Sequence, residues 1–199
     1  MEQGMKTLIL ASGSPRRQEL IRLLSMPVEV LPSDADETTE PDWEPARIVE
    51  ELSLRKALAV RERLPEGREG IIVGSDTIVV LDGRALGKPR DADDAASMLA
   101  SLQGRSHEVY TGLALVDAAT GRRAAAHQAT RVWMKPMDAE RIRRYIATGE
   151  PMDKAGSYAI QGIGAVLVER MEGDYFTVVG LPVSLLADML EREYGQRAL

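Results

Sequence analysis

The stretch "GIIVGSDTIVVLDGRALGKP", Gly70 to Pro89, constrains the fold more than any other part of the chain. Its first arm is an apolar, β-branched run of the kind a buried strand shows. Asp82-Gly83 then carries the signature of a two-residue hairpin, so a second arm must return antiparallel to the first. Helical patterns flank it. From Pro45 to Arg63, Ile48, Val49, Leu52, Ala57, Leu58 and Ala59 recur at near-helical spacing, and Asp91 to Gln103 reads as a further helix. A hairpin set between helices predicts a mixed sheet in an α/β fold.

The remaining segments agree. Thr7 to Ala11 and Val28 to Leu31 read as strands, with Pro15 opening a helix that runs to about Leu24. "PSDADETTEPDWEP" reads as an acidic, proline-punctuated loop. "HEVYTGLALVDAATGRRAAAHQATRVWM" predicts two strands around the Thr120-Gly121 turn, and Asp138 can cap a helix running to Thr148. "AVLVERMEGDYFTVVG" reads as another hairpin, around Gly173, and Pro182 starts a terminal helix. With no repeat or linker, the expectation is a single α/β domain over residues 1–199, built as an elongated mixed sheet with flanking helices in two lobes and a central cleft.

Composition narrows the chemistry. The chain has no cysteine, which excludes disulfides, cysteine-based zinc sites and thiol nucleophiles. A net charge of -6 argues against a nucleic acid polymer as partner, so an anionic small molecule would need a local basic pocket or a metal ion. No stretch approaches the roughly 20 apolar residues of a membrane span, and "MEQGMKTLILASGS" lacks the pattern of a leader, so a soluble, cytoplasmic protein is expected.

Three constellations could carry chemistry. In "LILASGSPRRQELIRLL", Ser12, Gly13 and Ser14 precede a helix whose first turn points N–H groups outward, and Arg16 and Arg17 set two guanidinium forks beside them. This reads as a phosphate site, or as a serine cap beside solvated arginines. In "VGSDT", Asp76 interrupts an apolar run, so its carboxylate is paired, metal-bound or catalytic, unless it faces solvent on a bulge. Nearby Lys88 in "LGKP" sits on a constrained turn, where taken alone it is a surface lysine. The third is "MDKAGSYAIQG", whose usable groups are Asp153, Lys154 and Gln161. No P-loop or complete dinucleotide fingerprint occurs, and His107 and His127 lack metal spacing.

"LILASGSPRRQELI", "GSDTIVVLDGRALGKPRDADDAASMLASLQGRSHEVYTGLAL" and "EPMDKAGSYAIQGIGAVLVERMEGDYFTVVGLP" resemble the signature stretches of the Maf family of nucleoside triphosphate pyrophosphatases, from about Leu8 to Pro182. The resemblance implies a fold of the inosine triphosphatase type, often a homodimer. It also implies a reaction in which water attacks the α-phosphate of a nucleoside triphosphate with the help of a divalent cation, Mg²⁺ or Mn²⁺. Carried over residue by residue, the family's proton acceptor falls on Asp76. Its phosphate-binding groups fall on Arg17, Lys56 and Lys88, beside the serines Ser12 and Ser14, and its acidic metal-side residue falls on Glu37. The positions that separate subfamilies read Arg16, Thr77 and Gln161, which resembles the branch hydrolysing dTTP and UTP.

Physical chemistry bears on these roles. A triphosphate carries about four negative charges, so the reaction is largely positioning and neutralisation. Asp76 serves either as a base or as a metal ligand. Arg16, a donor only, suits the O4 acceptor of uracil and rejects the amino group of cytosine, whereas the Gln161 amide can flip to pair with either. The competing reading is a nucleotide-binding regulator of septum formation with little turnover.

Overall fold

A computed structural model describes residues 4–198. The first three residues, part of the N-terminal stretch read as lacking a leader, lie outside the described residues. Seven strands form one mixed sheet: β1 (Leu8–Leu10), β2 (Val28–Val30), β3 (Ile71–Leu81), β4 (Arg84–Leu86), β5 (Ser106–Asp117), β6 (Arg123–Met134) and β7 (Val168–Glu172). Their order is β2-β1-β3-β5-β6-β7, with β4 paired to β3. β1 runs parallel to both β2 and β3, while β3–β4 and β6–β7 are antiparallel. The helices are α1 (Pro15–Ile21), α2 (Pro45–Glu62), α3 (Ala92–Leu102), α4 (Ala139–Ala147), α5 (Tyr175–Val179) and α6 (Val183–Tyr194). Among the described residues no helix is long and apolar enough to cross a membrane.

The chain divides into two compact units. The first comprises Met1–Asp76, Thr111–Gln128 and Gly180–Leu199, and the second Thr77–Tyr110 and Ala129–Val179. The division falls within β3, between Asp76 and Thr77.

In the first unit Ile9, Ala11, Ala57, Val60, Ile72, Ala114 and Val116 form a core between α2 and the strands. Two glycines let that helix approach unusually closely. A Cβ on Gly74 would lie 2.0 Å from the Ser53 carbonyl oxygen, and one on Gly112 would lie 2.2 Å from that of Val49. Real contacts do not reach such distances, so the seat of α2 on β3 and β5 exists only because both positions lack a side chain.

In the second unit Leu81, Leu99, Leu102, Val109, Val132, Met134, Ile142, Tyr145 and Tyr158 form a separate core. The expected hairpin turn is present, with Asp82 and Gly83 both in left-handed backbone (φ 51° and 74°) and Leu81 opposite Arg84. Asp91 and Asp138 cap α3 and α4 by accepting the N–H groups of Asp94 and Arg141.

The hairpin expected around Gly173 does not form. β7 pairs with β6 instead, and the "YFTVV" segment is the helix α5. The cause is local capping: the Asp174 carboxylate accepts both the N–H and the hydroxyl of Thr177, and the Asp174 N–H and carbonyl both bond the Thr130 hydroxyl. These bonds turn the chain into a helix despite its β-branched residues.

Candidate active site

The first unit gathers six of the expected site residues onto three elements. Ser12, Ser14, Arg16 and Arg17 lie at the entry to α1, Lys56 on α2 and Asp76 on β3. Glu37 joins them from the acidic loop between β2 and α2.

Asp76 is buried, and its carboxylate is paired. Lys56 Nζ donates to Asp76 Oδ1 at 2.6 Å and also meets Glu37 Oε1 at 2.8 Å. The Lys56 and Asp76 side chains are each only 12% exposed, so neither charge could be left without the other at small cost. Glu37 is different, with 59% of its side chain in solvent, and contributes through an outer contact. This disposes of the solvent-facing bulge as the account of Asp76. Lys56 reaches it because Ser53, one turn earlier on α2, sits against Gly74, two residues before Asp76.

Arg17 is held in place by its own fork. Its Nε donates to the Gly180 carbonyl at 2.7 Å and its Nη1 to Ser12 Oγ at 3.4 Å. The same Gly180 carbonyl accepts the buried Ser75 hydroxyl at 3.0 Å, which ties the residue next to Asp76 to the residue that orients Arg17. Burial lowers the Arg17 pKa from its ordinary value and the adjacent Arg16 charge adds to this, while Asp76 and Glu37 pull it back up. Arg17 therefore lies within the electrostatic reach of both carboxylates. Ser14 stands at the N-cap of α1, yet its hydroxyl makes no capping bond; its N–H donates to Ser12 Oγ at 3.2 Å. The simple serine cap weighed for this turn is not what forms.

Thr77, Lys88 and Gln161 belong to the second unit. Lys88 is exposed, just past β4. The "LGKP" and "MDKAGSYAIQG" segments are joined there: the Gly156 N–H donates to the Gly87 carbonyl at 3.0 Å, and a Cβ on Gly156 (φ 69°) would lie 2.9 Å from three carbons of Val79. Gln161 opens the 3-10 turn Gly162–Leu167. His107 is buried with its Nε2 2.7 Å from the Tyr158 hydroxyl, and His127 is exposed beside Glu50, so one histidine is a core residue and the other a surface residue.

Could this site hold a divalent cation? No group of three or more His, Asp or Glu side chains placed to hold a metal ion occurs among the described residues. Even so, two carboxylate oxygens converge on one cationic nitrogen, and hard oxygen donors of this kind suit Mg²⁺ or Mn²⁺. Glu37 and Asp76 therefore fit the group as a partial donor set.

Sequence reasoning missed Gly180, because the carbonyl that orients Arg17 lies 163 residues away and no local pattern announces it. It also missed Tyr145 and Glu150, described below.

Fold and site together define a mixed-sheet α/β protein that sets two carboxylates, an ammonium and a guanidinium side by side, a constellation suited to phosphate chemistry. Comparison with known proteins gives this class a family. Residues 7–193 match the model of the Maf-like proteins, and the chain belongs to that family. It is 50% identical over 191 residues to a dTTP/UTP pyrophosphatase of Desulforamulus reducens, covering 96% of this chain and 98% of that one. It is 49% identical over 195 residues to a dTTP/UTP pyrophosphatase of Pelotomaculum thermopropionicum, covering 98% and 100%. The fold is similar to that of the Staphylococcus aureus Ham1 protein, with a TM-score of 0.50 and 13% identity over 82% of this chain and 80% of that one.

Proposed function

We propose that this protein is a nucleoside triphosphate pyrophosphatase acting on dTTP and UTP, and on modified pyrimidine nucleotides of the same shape. Water adds to the α-phosphorus, the bond from that phosphorus to the bridging oxygen breaks, and the nucleoside monophosphate and pyrophosphate leave. The observation that carries this reading is the Asp76 carboxylate held against Lys56, in a chain half identical to relatives named for that activity. A carboxylate facing a polyanion is repulsive unless cations stand beside it, and mere binding would not require one.

In this reading Arg17, Lys56 and Lys88 neutralise the triphosphate, and Ser12 and Ser14 bond its oxygens. Asp76 accepts the proton of the attacking water, with Lys56 fixing the direction of its carboxylate. Glu37 and Asp76 would hold Mg²⁺ or Mn²⁺. When bound, that ion adds positive charge at the phosphates and makes a nearby water more acidic. Arg16, Thr77 and Gln161 select the base, Arg16 by donating to O4 of uracil or thymine. The working form is a homodimer in the cytoplasm.

The test is a panel of nucleoside triphosphates with Mg²⁺ or Mn²⁺, run with the wild type and with Asp76→Asn. Pyrophosphate released from UTP and dTTP ahead of CTP, and abolished in the variant, is the expected result. Release of single phosphate would refute the reaction, and tight binding without turnover would instead support the regulator.

A further inference from the structure

In the second unit, one carboxylate and one phenol hold the chain on both sides of Gln161. Glu150 Oε2 accepts the Tyr145 hydroxyl at 2.7 Å and the Gly164 N–H at 2.8 Å, while Glu150 Oε1 accepts the Ile163 N–H at 2.9 Å. The Tyr145 hydroxyl in turn accepts the Ala159 N–H at 3.1 Å. Backbone groups two residues before Gln161 and two and three residues after it are thus tied to a single Tyr–Glu pair, its tyrosine buried and its carboxylate half-buried.

The approach is built into the backbone. Gly162 is in left-handed conformation (φ 65°), and a Cβ there would lie 2.3 Å from Glu150 Oε1, so the carboxylate reaches this turn only because residue 162 is glycine. Lys154 adds a third tie, donating from Nζ to the Glu150 carbonyl at 2.8 Å. Burial alone would raise the Glu150 carboxyl, yet the bonds from Tyr145, Ile163 and Gly164 outweigh it and hold it below its ordinary pKa. The carboxylate is therefore ionised at neutral pH, and its bonds to the turn are of the stronger, charge-assisted kind.

Leu167 anchors the far end of this turn in the core, but Gly162, Ile163, Ala165 and Val166 are exposed, so apolar packing does little to fix the end next to Gln161. The placement of that end depends on the hydrogen bonds. That matters for an amide, because a glutamine can rotate to offer either its oxygen or its nitrogen and so suits uracil or cytosine equally well. It discriminates only if its backbone is placed so that one orientation alone reaches the base.

We propose that Glu150 and Tyr145 are positioning residues for base selectivity, forming a clasp that sets where the Gln161 amide is presented and thereby separates uracil-type from cytosine-type nucleotides. This rests on the reading of Gln161 as a base-contacting residue. The clasp bonds only protein groups on either side of Gln161, so in this reading its loss acts on KM and selectivity and not on the chemical step.

The test compares wild type, Glu150→Gln, Tyr145→Phe, Gln161→Ala and the Glu150→Gln/Gln161→Ala double variant. Steady-state kinetics on UTP and CTP are run beside hydrogen exchange over residues 159–164. In Glu150→Gln the segment exchanges faster, kcat for UTP stays within about threefold, and the UTP-over-CTP preference falls by about tenfold, since an ångström of misplacement costs up to about 100-fold. The double variant loses no more selectivity than Gln161→Ala alone. Tyr145→Phe, which keeps the carboxylate bonds to Ile163 and Gly164, shows the same change in smaller measure and carries the test if Glu150→Gln does not fold. Faster exchange with an unchanged UTP-to-CTP ratio would overturn the clasp while leaving the pyrimidine reading intact. An equal fall of kcat on both substrates would overturn it too, as a structural effect only. A wild type without UTP preference, or a Gln161→Ala variant with unaltered preference, would sink the underlying reading and the clasp's role with it.

Discussion

Replacing Gly74 with alanine tests how the fold sets the Lys56–Asp76 pair. The new methyl carbon would begin 2.0 Å from the Ser53 carbonyl oxygen, 3.0 Å from its carbon and 3.1 Å from the Ala57 nitrogen. All three are backbone atoms of α2, so no side-chain rotation relieves the clash. To restore van der Waals contact the helix must withdraw from β3 by roughly 1 Å or more, as overpacking usually forces, at about 1–3 kcal/mol. Lys56 lies between Ser53 and Ala57 and moves with them. Its 2.6 Å bond to Asp76 would lengthen past hydrogen-bond range. In a chain of this size the melting temperature should fall by roughly 2–12 °C. Turnover of UTP should fall by up to about 100-fold, mostly in kcat, because the proposed function puts the misplaced pair at the reacting centre. Differential scanning calorimetry and steady-state kinetics measure the two effects. A Gly74→Ala protein with wild-type melting and turnover would refute the claim that this close approach places the catalytic pair.

Further outcomes follow from the same geometry. Burial holds His107 at a pKa of about 4, well below its ordinary value, so the folded state leaves it neutral while the unfolded chain takes up a proton. Its stability contribution is complete above about pH 6.5 and is lost as pH falls toward 4, at a total of up to about 3 kcal/mol; denaturant titrations at pH 7 and pH 4.5 should show this slope, and His107→Gln should remove it. Arg17→Lys cannot make both the Gly180 and Ser12 contacts, so kcat/KM should fall by about tenfold or more on every nucleoside triphosphate alike, whereas Arg16→Ala should change the UTP-to-CTP ratio more than the UTP rate. Dialysis against a chelator should abolish turnover and leave the melting temperature nearly unchanged, because without the ion the buried Asp76 is still paired with the Lys56 ammonium and Glu37 is largely in solvent; rates regained on adding Mg²⁺ or Mn²⁺ complete the check.

Local chemistry made the strands, the hairpin and most of the helices legible. Asp82-Gly83, Asp91 and Asp138 each act on neighbouring backbone within a few residues, and each does in the structure what its sequence position implies. Gly173 misled because a β-branched segment looks like a strand until Asp174 and Thr130 are seen to cap it, and Thr130 lies 44 residues away. For the site, Asp76 announced itself as a lone carboxylate in an apolar run, and its partner Lys56 followed only from family resemblance. The glycines at 74 and 112 gave no hint that a helix would lie against them, because a close approach is a property of two elements and periodicity describes only one. Glu150 was hidden for the same reason. Its acceptors are filled by backbone N–H groups 13 and 14 residues on, a pattern that side-chain type does not encode.

The central claim is that water attacks the α-phosphorus under the guidance of Asp76. Hydrolysis of UTP in ¹⁸O-labelled water, with both products analysed by mass spectrometry, addresses it directly. The account predicts one labelled oxygen in uridine monophosphate and none in pyrophosphate. Label found in pyrophosphate, or in single phosphate beside a diphosphate, would contradict it.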